Sequence, residues 1–235
     1  MEHSNAFSDD EYDVVSNPGN LSLEASLDDF CCCDVREPPA SEIAQSRFET
    51  TRWSAKDIQR YIHRDLELAT DINSHKFDKK RVRVYVDGTF DTFDIGTALK
   101  LRQAKLSFPY VYLIVGVFSN KVLQQNDCLP NRPEVERIEL MRHCRWTDEV
   151  LEDVPWELTL QFLNEKTIDF VAIDEGTSID PSFAKARVVA YDELKKHGKI
   201  IKTRRTPGLL NQKGLLHSSP SQQSTPTLAD KELGS

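Results

Sequence analysis

The stretch Arg83-Val-Tyr-Val-Asp-Gly-Thr-Phe-Asp-Thr-Phe-Asp-Ile-Gly-Thr-Ala98 decides how the rest of the chain is read. Val82, Val84 and Val86 around Tyr85 form a short β-branched and aromatic run, which predicts a buried strand. The polar turn Asp87-Gly88-Thr89 follows. A helix then opens at or near Asp94 and continues to Lys105 in good helix formers. A strand passing through a glycine turn into a helix N-terminus is where open α/β folds bind phosphate. The same residues would also suit an ordinary strand–turn–helix joint, so the flanking sequence has to separate the two.

Downstream, strands and helices alternate. Val111 to Phe118 is nearly all apolar, as a strand buried on both faces should be. Asn120 to Arg132 reads as a polar loop ending between Pro130 and Pro133. Glu134 to Cys144 reads as a helix with Val135, Ile138, Leu140 and Met141 mostly inward. Trp146 to Val150 is a short strand, Thr159 to Glu165 a short helix and Ile168 to Ile173 a further buried strand. Phe183 to His197 is a helix ending at Gly198, and Lys199 to Lys202 the last strand. This alternation predicts an α/β fold with a parallel sheet flanked by helices.

Upstream, Ser54 caps a predicted amphipathic helix running to Ile72. Ile58, Tyr61, Ile62, Leu66 and Ala69 fall at helical spacing, and the helix is expected to pack on the domain edge. Its charged face carries both signs, which disfavours an anionic lipid surface. Residues 1–46 and 211–235 are polar and aperiodic and read as disordered tails. The expected organisation is thus a tail over 1–46, a helix and linker over 47–78, a domain over 79–210 and a tail over 211–235.

Net charge is −8 over 235 residues, so no basic footprint argues for nucleic acid. No run approaches the length of a transmembrane helix, and the acidic start is wrong for a signal peptide. Five cysteines include the run Cys31-Cys32-Cys33, with Cys128 and Cys144 far off. An odd count without paired spacing suggests reduced thiols, and hence a soluble protein of the cytosol or nucleus.

Several segments together carry a resemblance. They are Arg83 to Asp91, Tyr112 to Ser119, Glu136-Arg137, His143 to Val150, Pro155-Trp-Glu-Leu-Thr159, Ile168 to Ala172 and Arg205-Thr-Pro-Gly208. In this order and spacing they resemble the catalytic domain of the CTP:phosphocholine cytidylyltransferase family, over about residues 79 to 210. The resemblance implies a Rossmann-like nucleotidyltransferase fold. It also implies a reaction in which phosphocholine attacks the α-phosphate of CTP, giving CDP-choline and pyrophosphate. No cofactor is required by the sequence, with CTP the family's substrate and Mg²⁺ a possible addition. Carried over by position, it implies nucleotide contacts at Gly88, Thr89, Phe90, Asp91, Asp174, Arg205, Thr206 and Gly208. It likewise implies a choline site at Asp87, Trp156 and Tyr191, and a dimer signature at Arg145, Trp146, Asp148 and Glu149. An aromatic face beside a carboxylate suits a quaternary ammonium.

The chain departs from the family where the triphosphate should lie. The His-x-Gly-His signature reads Asp94-Ile95-Gly96-Thr97, and the bridging lysine position falls on Asp127, with Lys121 six residues too early. The family's clamp keeps Arg205, Thr206 and Gly208, but Pro207 and Leu209-Leu210-Asn211 replace its other residues, and Ile173 stands for a histidine before Asp174. Ser178 and its neighbours lie in an insertion and match nothing. Losing one preorganised donor costs roughly 3–4 kcal/mol, and a carboxylate ~4 Å from a phosphate oxygen adds repulsion of ~4 kcal/mol. The expectation is a protein of the CDP-choline pathway with lost or strongly impaired catalysis, acting as a binding or dimerisation module with itself or an active paralogue. Two alternatives remain: an active enzyme, with Asp91, Asp94 and Asp127 holding Mg²⁺, and a scaffold of unrelated role. The family's C-terminal lipid-binding helix has no counterpart before Ser235, so lipid-switched activation is not expected of this chain.

Overall fold

The computed structural model describes residues 37–70, 80–175 and 181–207, all within one compact unit spanning 35–235. The Cys31–Cys33 run, Ser178, Gly208, residues 1–36 of the first predicted tail and the whole of the second lie outside the described residues. Five strands make one sheet: β1 (Val82–Gly88), β2 (Val111–Val117), β3 (Glu149–Leu151), β4 (Phe170–Asp174) and β5 (Ile200–Thr203). Their order is β3-β2-β1-β4-β5, and every neighbouring pair is parallel. The predicted α/β class is therefore what the chain adopts.

Alternation along β1 sorts its side chains to two cores. Val82, Val84 and Val86 join Leu113, which lies opposite Val84, Val115 and Val117 of β2 in one cluster. Helix α2 (Ala55–Thr70) adds Ile58, Ile62 and Leu66 to it. Each of those three buried side chains contributes roughly 1.5–3 kcal/mol, and α2 lies against edge strand β5. Tyr85, on the other face, joins Ile114, Leu163, Val171 and Leu194.

Side-chain caps set the helix starts. Asp94 caps α3 (Ile95–Lys105), Ser119 caps α4 (Asn120–Gln125) and Thr159 caps α6 (Leu160–Glu165). The last helices are α5 (Glu134–Arg142) and α7 (Pro181–Lys196). In α3 even polar residues are buried, because each has a partner. Arg102 reaches Glu37 at 2.7 Å and the carbonyls of Thr50 and Trp53, while Lys105 meets Asp148 and the Val111 carbonyl. Arg102 thereby fastens residues 37–53 to the domain.

Local boundaries differ from the sequence reading in four places. Residues 42–47, at the end of the expected tail, form helix α1 capped by Ser41, with a 3-10 turn over Glu49–Arg52 after it. Residues 120–125, expected as loop, are helical because Ser119 supplies an N-cap that the polar composition concealed. Strand β3 starts only at Glu149, since Trp146 turns into the core instead of extending. Val135 is 64% exposed, the inward row of α5 being Arg137, Ile138 and Met141.

Candidate functional site

All five strands are parallel, so their carboxyl ends share one edge of the sheet. The crossovers from β1 reverse direction there, between β1 and β4, which is where open α/β sheets bind ligands. The expected nucleotide positions gather along this edge. Gly88 ends β1, Asp174 ends β4, and Arg205 and Thr206 follow β5.

Most of these groups are already committed within the chain. Phe90 has φ of 52° and is buried, with its ring so near Gly88 that a Cβ there would lie 3.2 Å away. The glycine thus makes room for an aromatic ring of the chain itself. Asp91 accepts from the Asn131 side chain and the Arg132 backbone N–H, both at 2.7 Å. Partial burial opposes its charge, but these donors prevail and hold its carboxyl below the usual range. Thr206 is buried with its hydroxyl 3.3 Å from that of Thr50. Asp174 accepts from the Thr203 hydroxyl at 2.7 Å and faces Lys100 of α3 at 4.0 Å. Arg205 is exposed.

At the start of α3 the helix already carries an anion. The Asp94 carboxylate accepts from the Thr97 backbone N–H at 2.8 Å and from the Thr97 hydroxyl at 2.9 Å. Of the two positions the resemblance aims at a triphosphate, Asp94 instead caps the helix through Thr97. Asp127 is exposed just after α4, in the left-handed region with φ of 55°. Lys121 sits in the first turn of α4, fixed on a helix where a flexible loop would have been needed to deliver it. Among the described residues no group of three or more His, Cys, Asp and Glu side chains could hold a metal ion, so Asp91, Asp94 and Asp127 do not form one.

Asp87, Trp156 and Tyr191 do come together, around a residue that the sequence reading missed. Arg187 of α7 donates to Asp87 Oδ1 at 2.8 Å, to the Tyr191 hydroxyl and, at 3.4 Å, to the Trp156 carbonyl. Tyr191 also donates to Asp87 Oδ1, at 2.8 Å. The guanidinium carbon lies 4.7 Å from the Phe118 ring centre, 4.8 Å from that of Trp156 and 5.2 Å from that of Tyr191. Burial works against the Arg187 charge, but Asp87 outweighs it and keeps the guanidinium more basic than usual. Burial, then the Asp87 charge, pushes the Tyr191 hydroxyl well up. Asp87 Oδ2 and the Tyr85 hydroxyl are buried without hydrogen-bond partners. The one local hint of Arg187 was its place a helical turn before Tyr191.

Arg137, which the sequence reading quoted without giving it a role, is fully buried beneath the loops that follow β1 and β2. Its guanidinium donates to the carbonyls of Thr89 and Phe118 and to the Asn120 side chain, at 2.8, 2.9 and 2.8 Å. It pins both loops at the site edge. Burial lowers its basicity.

Three members of the expected dimer signature serve this chain's own fold. Trp146 packs in the core, Asp148 binds Lys105 and the Leu113 N–H, and Glu149 lies 3.3 Å from Arg83. Arg145 is exposed, beside the edge strand β3.

With this geometry established, known proteins offer a comparison. A family model described as Cytidylyltransferase-like matches residues 85–228. Choline-phosphate cytidylyltransferase 2 of Arabidopsis thaliana is 44% identical over 128 residues, covering 54% of this chain and 41% of that protein. Choline-phosphate cytidylyltransferase A of Homo sapiens is 44% identical over 131 residues, covering 56% and 35%. Ethanolamine-phosphate cytidylyltransferase of Dictyostelium discoideum is 38% identical over 132 residues, covering 56% and 35%. The chain therefore spans well under half the length of these relatives.

Proposed function

Because this chain belongs to the cytidylyltransferase-like family, we propose that it is a choline-phosphate cytidylyltransferase-like protein whose catalysis is lost or strongly impaired, and that it works as a binding or dimerisation module. The observation that carries this is the Asp94 cap. The N-terminus of α3 points its positive dipole end at the place where a triphosphate would approach. A carboxylate of the chain already takes that position and the hydrogen bond of Thr97. A phosphate oxygen arriving ~4 Å from it would meet repulsion of ~4 kcal/mol at an effective dielectric near 20. No imidazole stands at either helix position to offset this, and Lys121 is held elsewhere on α4.

As a module, the protein would pair with a second copy or with an active relative. The short edge strand β3, with exposed Arg145 beside it, is the face that supports this part of the reading. Co-purification with an active cytidylyltransferase, reading both complex formation and its rate, tests the pairing.

A second reading keeps the enzyme active. Arg205 stands exposed after β5, and Lys100 lies near Asp174, so cationic groups remain at the sheet edge. Calorimetry with CTP and a product assay with CTP plus phosphocholine or phosphoethanolamine, each with and without Mg²⁺, separate the two. The expected result is no CDP-linked product. Product that vanishes on Arg205→Ala overturns the proposal.

A further inference from the structure

We propose that Arg187 is a built-in occupant of a cation site, its guanidinium seated where a quaternary ammonium headgroup would otherwise bind, so that this chain excludes ligands its own fold is shaped to accept. Three aromatic rings converge on that guanidinium at 4.7 to 5.2 Å, all within the ~6 Å reach of cation–π attraction. An ion pair with Asp87 alone would need none of them. Rings grouped around a buried carboxylate are the arrangement by which proteins recognise quaternary ammonium groups.

The rings come from separate parts of the chain. Phe118 follows β2, Trp156 follows β3, and Tyr191 is on α7. The carboxylate stands near the carboxyl end of β1, one residue before Gly88. Arg187 enters from a helix whose other side is open to solvent, Lys185, Ala186 and Val189 all being exposed. Its side chain turns inward, leaving itself only 10% and Asp87 5% exposed. The Asp87 carboxylate is not saturated by this partner, since Oδ2 has none. Removing the guanidinium would therefore leave three rings and an unneutralised carboxylate facing one space, with room for a small organic cation.

The proposal rests on the reading above in one respect, that this box is where an amino-alcohol headgroup would lie. It needs no nucleotide, so failure to bind CTP leaves it standing and its own failure leaves the Asp94 argument intact. The test titrates tetramethylammonium and phosphocholine into the full chain, following Trp156-sensitive fluorescence, calorimetry and melting temperature. The unaltered chain should show no saturable binding of either probe. Arg187→Ala should bind both saturably, at least roughly tenfold more tightly than the limit the unaltered chain sets, and its melting temperature should rise with tetramethylammonium. Adding Trp156→Ala to that variant should abolish the gain.

Should the lone carboxylate prevent Arg187→Ala from folding, Asp87→Asn combined with Arg187→Ala removes the stranded charge and keeps the three rings. A weaker gain of the same sign is then expected. Saturable binding of either probe to the unaltered chain that Trp156→Ala abolishes overturns the proposal, because the box would then be open. A folded variant lacking Arg187 that binds no better than the unaltered chain overturns it equally.

Discussion

Breaking the Asp87–Arg187 pair should be the most damaging single change at the site, and its size follows from burial. The two charges lie 2.8 Å apart with side chains 5% and 10% exposed. At an effective dielectric near 20 their gross attraction is about 6 kcal/mol, largely offset by the several kcal/mol spent in taking each ion from water. The net worth of the intact pair is therefore small. Removing one partner is another matter, since the survivor keeps its desolvation and loses its counter-ion, which costs about 3–5 kcal/mol. Arg187→Met preserves length and contact with the rings, and Asp87→Asn preserves shape, so the two substitutions isolate charge. Each single variant should lose about 3–5 kcal/mol in urea unfolding. At roughly 2–4 °C per kcal/mol for a chain of this size, melting should fall by something between 6 and 20 °C. The double variant strands no ion. It should lose no more than the worse single variant, which makes the coupling about 3 kcal/mol or more. Additivity of the two single losses to within ~0.5 kcal/mol would refute the reasoning, because the charges would then not sense each other.

Two further expectations concern the same edge of the sheet. A Cβ on Gly116 would lie 2.1 Å from the Tyr85 hydroxyl and 2.7 Å from the ring carbon that bears it. Gly116→Ala should thus cost about 1–3 kcal/mol by overpacking, whereas Tyr85→Phe, which deletes a buried hydroxyl without a partner, should be neutral or stabilising; chemical denaturation reads both. Asp91 and Glu175 have carboxyls held below their usual range, Asp91 by amide donors against partial burial and Glu175 by hydrogen bonds from Tyr61 and Arg204. A lowered folded-state pKa gives stability that is present above the unfolded value and lost as pH falls, so unfolding midpoints should decline below pH ~4. Asp91→Asn should be less stable at neutral pH and decline less steeply in acid.

The sequence alone determined the sheet. Strands β1, β2 and β4 are apolar runs suited to burial on both faces, and runs alternating with helices favour parallel pairing. The site edge followed from that, with the glycine turn before α3 and the residues after β5 placed at the carboxyl ends. Local physics also put the start of α3 at or near Asp94, and the cap found there needs only neighbours three residues apart. Composition hid α4, since its polar residues masked the Ser119 cap. Tertiary structure alone decided which charges would be buried. Asp87 and Arg187 are 100 residues apart, and nothing near either one in the chain marks it for burial. A charged side chain enters a core only where partners meet it, and those of Arg187, a carboxylate and three aromatic faces, come from β1, from the residues after β2 and β3, and from α7. Asp87, Trp156 and Tyr191 were grouped only by the family resemblance. That Arg187 stands among them depends on how α7 docks beside β1.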